Sequence, residues 1–498
     1  MSLHLPELRR TMRELDGVGH RAAFASLRVG DAVGALERLE RSRSQELASA
    51  LQAMNVGLNP NKREEVETLR TRLREIERLL ESGAGSGAAT LIHEARRLRQ
   101  ELAERAPLPH QQTLAELLSE RPDFVFLAPI ITPAGAELIV ARGGCPIGVW
   151  PLAGPELSHR LNEALAIWLR GVFALQRSDG EQGRGGRFDL VVDTMAALET
   201  DLIGPLRAAI QKAEIGPDAS FVLTLPGKVA ILPVGWAGGE RSLTGTMNLR
   251  LAPSIRSFLM DRAGTDEQQE PTLVAIANPT GDLPFADFEV AFAADLFGAA
   301  HATVLDEAHG SAEAVLAALR TSSHWLFATH GHFNSLDPKL SSIRVGRESE
   351  LTIGQILASA PATAPQLVVL SACDSAVHDV DQAPDEFFGL MGAFMQLGAR
   401  TVVGNLWPVS DVAASVLTTR MFHNIRSDAS DTAIALREAP RWLQQASGNE
   451  IASWIEAVST HGPELDKHSR WASRLRSFGE QPVFVHPYYW AGLVAYGR

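Results

Sequence analysis

The feature that most restricts the fold is an alternation of short apolar segments and helical segments from Pro271 to the C-terminus. Continuous apolar strands separated by helices are typical of a parallel sheet covered by helices on both faces, and sites in such folds form beyond the carboxyl ends of the strands. The predicted strands are Leu273–Ala277, Trp325–Ala328, Leu367–Leu370 and Thr401–Gly404. The predicted helices include Asp287–Phe297, Ser311–Arg320 and Glu386–Leu397.

The N-terminal part of the chain has a different pattern. Apolar residues recur at helical spacing over residues 1–108, with a heptad-like stretch at 66–80. A break rich in Gly, Ser and Ala at 82–87 is followed by further helical spacing over 91–102. This pattern predicts an all-α region that contains a helical hairpin, with no complete array of tetratricopeptide repeats. Such a hairpin would serve for packing on a neighbouring domain, for partner docking or for self-association.

Pro107 and Pro109 mark the next boundary. We therefore expect a helical region at 1–108, a mixed strand and helix region at 109–270, and a core at 271–498. The polar, glycine-rich segment at 178–187 predicts a surface loop.

Composition excludes several classes of protein. The chain is 45% hydrophobic and 21% charged, so it is globular, and its net charge of −13 gives no reason to expect nucleic-acid binding. Two cysteines, Cys145 and Cys373, do not make a disulfide framework, and no apolar run approaches the length of a membrane helix. The N-terminal residues lack a signal-peptide core, so we expect a cytoplasmic protein without membrane association. Richness in Ala and Arg suggests a bacterial source.

Two strand ends carry residues suited to nucleophilic catalysis. One strand runs into Thr329, His330 and Gly331, and a later strand runs into Ser371, Ala372 and Cys373. A His-Gly pair followed some forty to fifty residues later by Cys is the arrangement of caspase-type cysteine proteases. An ordinary Cys is only about 3% thiolate at pH 7, so a neighbouring imidazole is needed to take its proton. A backbone N–H beside a residue without Cβ can bind a developing oxyanion.

Residues from about Phe221 to the C-terminus resemble the CHAT domain, a caspase-like peptidase domain associated with tetratricopeptide repeats. The resemblance rests on motifs that occur in the family's order. These are VLTLPGKVAILPVGW at Val222–Trp236, LVAIANP at Leu273–Pro279, ATHG at Ala328–Gly331, LSAC at Leu370–Cys373, the segment Phe388–Asp411, and HPYYWAGLVAYG at His486–Gly497.

The resemblance implies a fold class and a site. The fold is α/β, with a caspase-like, mostly parallel sheet covered by helices on both faces and preceded by an all-α helical hairpin region. His330 is implied to be the general base and Cys373 the nucleophile, while the backbones of Gly331 and Cys373 form the oxyanion hole. After Cys373 the chain continues Asp374-Ser-Ala, where the family often has an acidic residue, Thr and Gly, which leaves the local turn open.

The same resemblance suggests where substrate selectivity arises. Asp374, Trp407 and Asp411 are candidates for the substrate pocket, although a structural role is the preferred interpretation of Trp407 and Asp411. Asp374, or the acidic residues between 379 and 386, would favour Arg or Lys before the cleaved bond. A solvated acidic loop is the alternative for these residues, and an apolar pocket stays equally open.

The implied function is that of a regulated cysteine endopeptidase that needs neither metal nor cofactor. Family membership suggests bacterial immunity, including antiviral defence, or cell death. The substrate would be a protein, for example a gasdermin-like or other neighbouring effector. An activating partner or a second copy would dock on the N-terminal helices.

Three alternatives compete with this interpretation. A non-catalytic scaffold would keep the fold without the chemistry. A zinc site built on His330 and His332 has the wrong spacing, because Asn334 stands where an Asp is required. A phosphate-binding loop at 83–87 lacks the preceding strand and the Lys.

Overall fold

The chain is represented by a computed structural model that describes residues 17–44, 47, 69, 72–73, 76, 91, 93–95, 97–98, 101, 113–176, 181–216, 219–260, 270–283, 285–334, 340–358, 364–372, 375–376, 384–387, 389–426, 431–458 and 465–498. The strands are β1 (Phe124–Thr132), β2 (Gly135–Arg142), β3 (Gly148–Ala153), β4 (Ser220–Thr224), β5 (Asn248–Ala252), β6 (Leu273–Ala277), β7 (Ala302–Leu305), β8 (His324–Ala328), β9 (Gly331–His332), β10 (Ser342–Arg344), β11 (Glu350–Thr352), β12 (Leu367–Ser371), β13 (Thr401–Asn405) and β14 (Leu493–Gly497).

The helices connect these strands and flank them. They are α1 (Val18–Arg28), α2 (Ala32–Ser42), α3 (Leu114–Ser119), α4 (Glu156–Gln176), α5 (Glu181–Leu198), α6 (Gly204–Lys212), α7 (Leu243–Thr246), α8 (Ile255–Leu259), α9 (Ala286–Phe297), α10 (Ala312–Leu319), α11 (Ile353–Ala358), α12 (Leu390–Gln396), α13 (Asp411–Arg426), α14 (Thr432–Gln445), α15 (Gly448–Val458) and α16 (Leu465–Arg476). A π-helical turn at Glu199–Ile203 joins α5 to α6, and 3₁₀ turns occur at Gly239–Arg241, Pro384–Glu386 and Pro487–Tyr489.

One large sheet runs through the molecule. Its eleven strands are ordered β3-β2-β1-β4-β5-β14-β13-β12-β8-β6-β7. The pairs β1–β2, β2–β3 and β13–β14 are antiparallel, and the other neighbouring pairs are parallel. A second, three-stranded sheet has the order β11-β10-β9. The mostly parallel α/β fold predicted from the sequence is therefore confirmed.

Helices cover both faces of the large sheet, and β1 shows how one strand serves both. Val125 and Leu127 belong to the core that includes α4, α5 and α6. Phe124, Phe126 and Ala128 alternate with them and pack in a separate cluster with α1, α2, α3 and α8. Because successive strand residues point to opposite faces, this alternation requires a helical layer on each side.

The predicted elements of the core differ from the observed ones mainly at their ends. Ser311 is the N-cap of α10, its hydroxyl accepting a hydrogen bond from the N–H of Ala314 at 3.1 Å. The helix predicted to start at Glu386 begins only at Leu390, because Phe387 has φ 52° and Gly389 is extended. The predicted loop at 178–187 is wrong for residues 181–187, which begin α5. Residues 178–180 lie outside the described part of the chain.

The predicted helical hairpin is described at only some of its positions. Those positions are helical and form a cluster of their own, in which Ile76, Ala95 and Leu98 are buried and Leu69, Leu73 and Leu91 pack against them. An ion pair between Arg72 and Glu94, with Nε and Oε1 3.4 Å apart, joins the two segments. The break at 82–87 lies outside the described residues. The boundaries at 108 and 270 stay predictions, although α1 and α2 already pack on the large sheet.

In the part of the chain that the structure describes, none of the helices has both the length and the apolar character needed to cross a membrane.

Candidate active site

The two predicted catalytic motifs follow neighbouring strands that are in register. β8 and β12 pair in parallel from His324–Leu367 to Ala328–Ser371, and the N–H of Thr329 donates to the carbonyl of Ser371 at 3.4 Å. His330 follows Ala328 by two residues, as Cys373 follows Ser371. Both strands are buried and, apart from His324 at the start of β8, apolar up to the residues that precede the two motifs.

Cys373 and Asp374 lie outside the described residues, but the chain on either side of them is anchored. Ser375 is fully buried, and its hydroxyl donates to the carbonyl of Leu370 at 3.2 Å and accepts from the N–H of Asn405 at 3.0 Å. The N–H of Ala376 donates to the carbonyl of Asn405 at 3.0 Å. The hydroxyl at Ser375 thus fastens the chain after the Cys373 position to β12 and β13. Sequence reasoning noted this Ser only as a substitute for Thr.

Gly331 leaves β8 for the small sheet. It is the first residue of β9 and lies opposite Ile343 of β10. The neighbouring pair is the hydrogen-bonded one, because the N–H of Arg344 donates to the carbonyl of His330 at 2.9 Å. Residues of an antiparallel pair alternate between hydrogen-bonded and non-hydrogen-bonded positions, so the N–H of Gly331 points away from β10. The ladder between β9 and β10 therefore leaves the N–H of Gly331 outside its hydrogen bonds.

The His330 side chain is partly exposed and contacts a carboxylate. The Nε2 atom lies 3.0 Å from Oδ1 of Asp282, with 42% of the His330 side chain and 63% of the Asp282 side chain exposed. Asp282 belongs to the loop between β6 and α9, and it was not among the residues suggested by the sequence. In the sequence, only the Gly281-Asp282 pair in a loop beyond a buried strand could have indicated this residue.

Asp411 is the first residue of α13, and it holds the same loop from the other end. Its Oδ2 accepts the N–H of Phe285 at 2.9 Å. Burial is the main cause that raises the pKa of Asp411 to about 6; the hydrogen bond from Phe285 and the charge of His330 oppose the rise, and Asp287 and Asp282 add to it. When it is ionised, this partly buried carboxylate close to His330 therefore lowers the stability of the folded state.

A second carboxyl lies beneath the strand that leads to Cys373. Glu289 of α9 is 2% exposed, and its Oε2 accepts a hydrogen bond from the hydroxyl of Ser371 at 3.1 Å. Burial raises the pKa of Glu289 well above its ordinary value, against hydrogen bonds from Ser371 and Thr418 and with the help of the Asp411 charge. Burial thus disfavours the charged form of the carboxyl that supports the end of β12.

Trp407 does not lie where a residue of the substrate pocket is expected. Its side chain is 2% exposed, its indole N–H donates to the carbonyl of Tyr488 at 2.9 Å, and its ring meets that of Trp168 edge to face at a centroid distance of 5.4 Å. A ring buried in this way shapes the chain between β13 and α13. A direct contact with substrate is therefore not supported for Trp407.

Among the residues that the structure describes, no group of three or more His, Cys, Asp or Glu side chains is arranged to hold a metal ion. His332 is exposed on β9 and follows His330 by two residues. Asp337, the next acidic residue along the chain, lies outside the described residues.

Comparison with known proteins gives a family and a fold. The chain is similar over 94% of its length to separase in two crystal structures of the Saccharomyces cerevisiae separase–securin complex, at 2.6 and 3.0 Å resolution. The identity is 12% in both, the TM-scores are 0.47 and 0.49, and the aligned region covers 37% of the separase chain. No curated protein matches the sequence. Residues 192–498, more than half of the chain, match the CHAT domain. The chain therefore belongs to the CHAT domain family and has the caspase-like protease fold of that family.

Proposed function

We propose that this protein is a cysteine endopeptidase in which Cys373 is the nucleophile and His330 is the general base. The observation that carries the proposal is the register of β8 and β12, whose paired ends Ala328 and Ser371 each precede one of the two residues by two positions. Membership of the CHAT family supports the same assignment.

The reaction is an acyl transfer in two stages. His330 accepts the thiol proton as Cys373 Sγ bonds to the scissile carbonyl carbon, and the carbonyl oxygen becomes an oxyanion. The N–H of Gly331, which points away from β10, and the backbone N–H of Cys373 would hold that oxyanion. As the C–N bond breaks, His330 returns the proton to the leaving amine. In the second stage His330 takes a proton from water, the hydroxyl bonds to the acyl carbon, and the S–C bond breaks to release the acid and the thiol.

Substrate selection is assigned to the acidic residues around the site. Asp374 and Asp411 are the candidates, with Trp407 acting through the shape of the chain behind them rather than by contact. A basic residue before the cleaved bond would suit such a pocket. The substrate would be a protein, and a gasdermin-like or other neighbouring effector in bacterial immunity, antiviral defence or cell death fits the family.

Regulation is assigned to the N-terminal helices. These helices are held together by their own apolar cluster, with Ile76, Ala95 and Leu98 buried, and would dock an activating protein or a second copy. Changing Leu69, Leu73 and Leu91 to Asp should abolish activation and assembly. Normal activation and normal assembly of that variant would refute the assignment. A cytoplasmic location is part of the same proposal.

The test compares the wild type with Cys373→Ala and His330→Ala variants in a lysate of the source organism. New protein N-termini are read by mass spectrometry, and the residues before each cut report the pocket preference. Both variants should lose every cut that the wild type makes, because either change removes a member of the dyad.

A second measurement tests the dyad in case the enzyme is inactive without a partner. In a Cys145→Ser background, Cys373 is the only thiol of the chain, so its alkylation by iodoacetamide can be followed alone. A dyad predicts alkylation at pH 7 that falls at least about 10-fold in His330→Ala, since only the thiolate reacts. Equal rates, together with no Cys373-dependent cut after the products of neighbouring genes are added, would favour the non-catalytic scaffold.

A further inference from the structure

The contact between His330 and Asp282 has consequences beyond the Cys-His dyad. The distance of 3.0 Å between Nε2 and Oδ1 is that of a hydrogen bond. Asp282 comes from the β6–α9 connection, 48 residues before His330, so the contact is made by the fold and not by local sequence. The loop that carries it lies at the same edge of the sheet as the ends of β8 and β12.

The loop that presents Asp282 is internally braced. Asn278 adopts a left-handed conformation with φ 41°, and its side-chain oxygen accepts the N–H of Leu283 at 2.9 Å. Its side-chain nitrogen donates to Asp287 Oδ2 at 3.2 Å, and its backbone N–H donates to the carbonyl of Ala328 at 3.0 Å. The loop is thereby tied to α9 on one side and to the end of β8, which leads to His330, on the other.

The far end of the loop is fixed to α13. The N–H of Phe285 donates to Asp411 at 2.9 Å, and the carbonyl of Phe285 accepts the hydroxyl of Ser415 at 3.1 Å. A carboxylate on a loop held at both ends loses little conformational freedom when it pairs with His330. Partial exposure weakens the charge interaction, so the contact is expected to act by orienting the ring more than by its electrostatic energy.

The chemistry of the contact determines which imidazole nitrogen acts as the base. The hydroxyl of Thr280 donates to Asp282, and this bond, followed by that from His330, holds the pKa of Asp282 below its usual value. An ionised carboxylate only accepts hydrogen bonds, so Nε2 of His330 must carry the proton in this contact. The lone pair of the neutral ring is then on Nδ1, which is free of Asp282 and available to a thiol.

We propose that Asp282 is a positioning residue that holds His330 in the Nε2–H tautomer and so leaves Nδ1 as the nitrogen that accepts the thiol proton. The assignment rests on the proposed function, and it extends the Cys-His dyad to an Asp-His-Cys arrangement. Asp282 does not touch the substrate; it acts by orienting the base and by stabilising the imidazolium that forms when the thiol proton is transferred.

The experiment uses the full chain in the Cys145→Ser background with Asp282→Asn, Asp282→Ala and Asp282→Glu. Asp306→Asn is the matched control, because Asp306 contacts Nδ1 of His309 at 2.7 Å on the surface and lies outside the site. Cleavage of a substrate peptide taken from the mapped cuts, alkylation of Cys373 by iodoacetamide, and the tautomer of His330 by ¹⁵N NMR are measured at pH 7.

We expect Asp282→Asn and Asp282→Ala to lower kcat and the alkylation rate by about 10- to 100-fold, which is part of the contribution of a general base. KM should stay within about 2-fold, because Asp282 does not bind substrate. Asp282→Glu should restore part of the rate, and the control should match the wild type. The Nε2–H tautomer should dominate in the wild type and lose that dominance in Asp282→Asn.

Failure of the positioning role of Asp282 can be distinguished from failure of the peptidase assignment. If the wild type is active and Asp282→Asn matches it in kcat, alkylation and tautomer, the positioning role is wrong and the peptidase assignment stands. If the wild type makes no Cys373-dependent cut and His330→Ala alkylates at the wild-type rate, the peptidase assignment is wrong. In that case the tautomer alone decides on Asp282: a change in Asp282→Asn supports the contact, and an unchanged tautomer overturns it.

Discussion

At the scale of single residues, Asp411 shows that a residue of the site can lower the stability of the fold. Its pKa of about 6 in the folded chain lies above the ordinary value of 3.8, with burial as the main cause. When folding raises the pKa of an acid, ionisation takes stability away as the pH rises. The penalty is absent below the unfolded pKa, near 4, and complete above the folded pKa, near 6.

Asp411→Asn should therefore stabilise the fold at neutral pH. The amide oxygen can still accept the N–H of Phe285, while the buried charge is removed. We expect the free energy of unfolding to exceed that of the wild type by about 2–3 kcal/mol at pH 7.5, and the difference to disappear near pH 4. Urea unfolding followed by Trp fluorescence between pH 4 and 8 measures this difference.

Asp306→Asn serves as the control of opposite sign. The hydrogen bond from His309 is the first cause that holds the pKa of Asp306 below its ordinary value, and the carboxylate is largely exposed. Any effect of that substitution should be a small loss of stability above pH 4.

A pH-independent difference between Asp411→Asn and the wild type would contradict the assignment of a charged, partly buried Asp411.

At the scale of elements, the segment after Cys373 depends on the close approach of β13. Gly404 has no Cβ, and an added one would lie 2.8 Å from Ser375 Oγ and 3.1 Å from Met391 Sδ. Ser375 is the residue that fastens this segment to Leu370 and Asn405. The glycine is therefore a packing requirement of the site, and its backbone conformation is not the reason for it.

Gly404→Ala should displace Ser375 and loosen the chain around Cys373. We expect a loss of about 1–3 kcal/mol in the free energy of unfolding, as for other overpacked core positions, and a slower alkylation of Cys373. Gly216→Ala is the matched control, because an added Cβ there meets nothing within 4 Å. Unchanged stability and unchanged alkylation in Gly404→Ala would show that the segment does not need this approach.

At the scale of the whole molecule, the N-terminal helices are fastened to the sheet by a buried cation. Arg43 is 2% exposed, and its Nη1 donates to the carbonyl and the hydroxyl of Thr224 at 3.2 and 3.0 Å. Burial lowers the pKa of Arg43, while the charges of Asp385 and Glu40 oppose this shift. The next residue, Ser44, donates its N–H to the carbonyl of Asp385 at 2.7 Å. Residues on both sides of the predicted boundary at 108 thus share one buried polar cluster.

Arg43→Met should be strongly destabilising, because it removes the larger of the two cationic charges that act on the buried Glu40, together with the hydrogen bonds to Thr224. We expect a loss of about 3–5 kcal/mol in the free energy of unfolding, typical of removing one member of a buried charged cluster. Arg41→Met is the control, since Arg41 is 79% exposed and pairs with Glu37 only at 3.7 Å. Equal effects of the two substitutions in urea unfolding would disprove the role of the cluster.

The sequence determined the sheet class and the core strands β6, β8, β12 and β13, because these depend on local periodicity. β8 and β12 are continuous apolar runs, and they were predicted to within one residue at each end. The motifs at His330 and Cys373 were visible because the chemistry requires those residue types just after such strands. The CHAT resemblance followed from the order of the motifs, and the match over 192–498 confirms the family.

Only the tertiary structure decided which distant side chains meet. Asp282 lies 48 residues from His330, and Arg43 lies 181 residues from Thr224, so no local pattern relates either pair. In the sequence, Trp407 and Asp411 are candidates for the same pocket. In the structure, Trp407 is buried in the core, whereas Asp411 contacts the loop between β6 and α9. These outcomes depend on strand order and on packing between layers, because burial and hydrogen bonding over long sequence separations are properties of the assembled sheet.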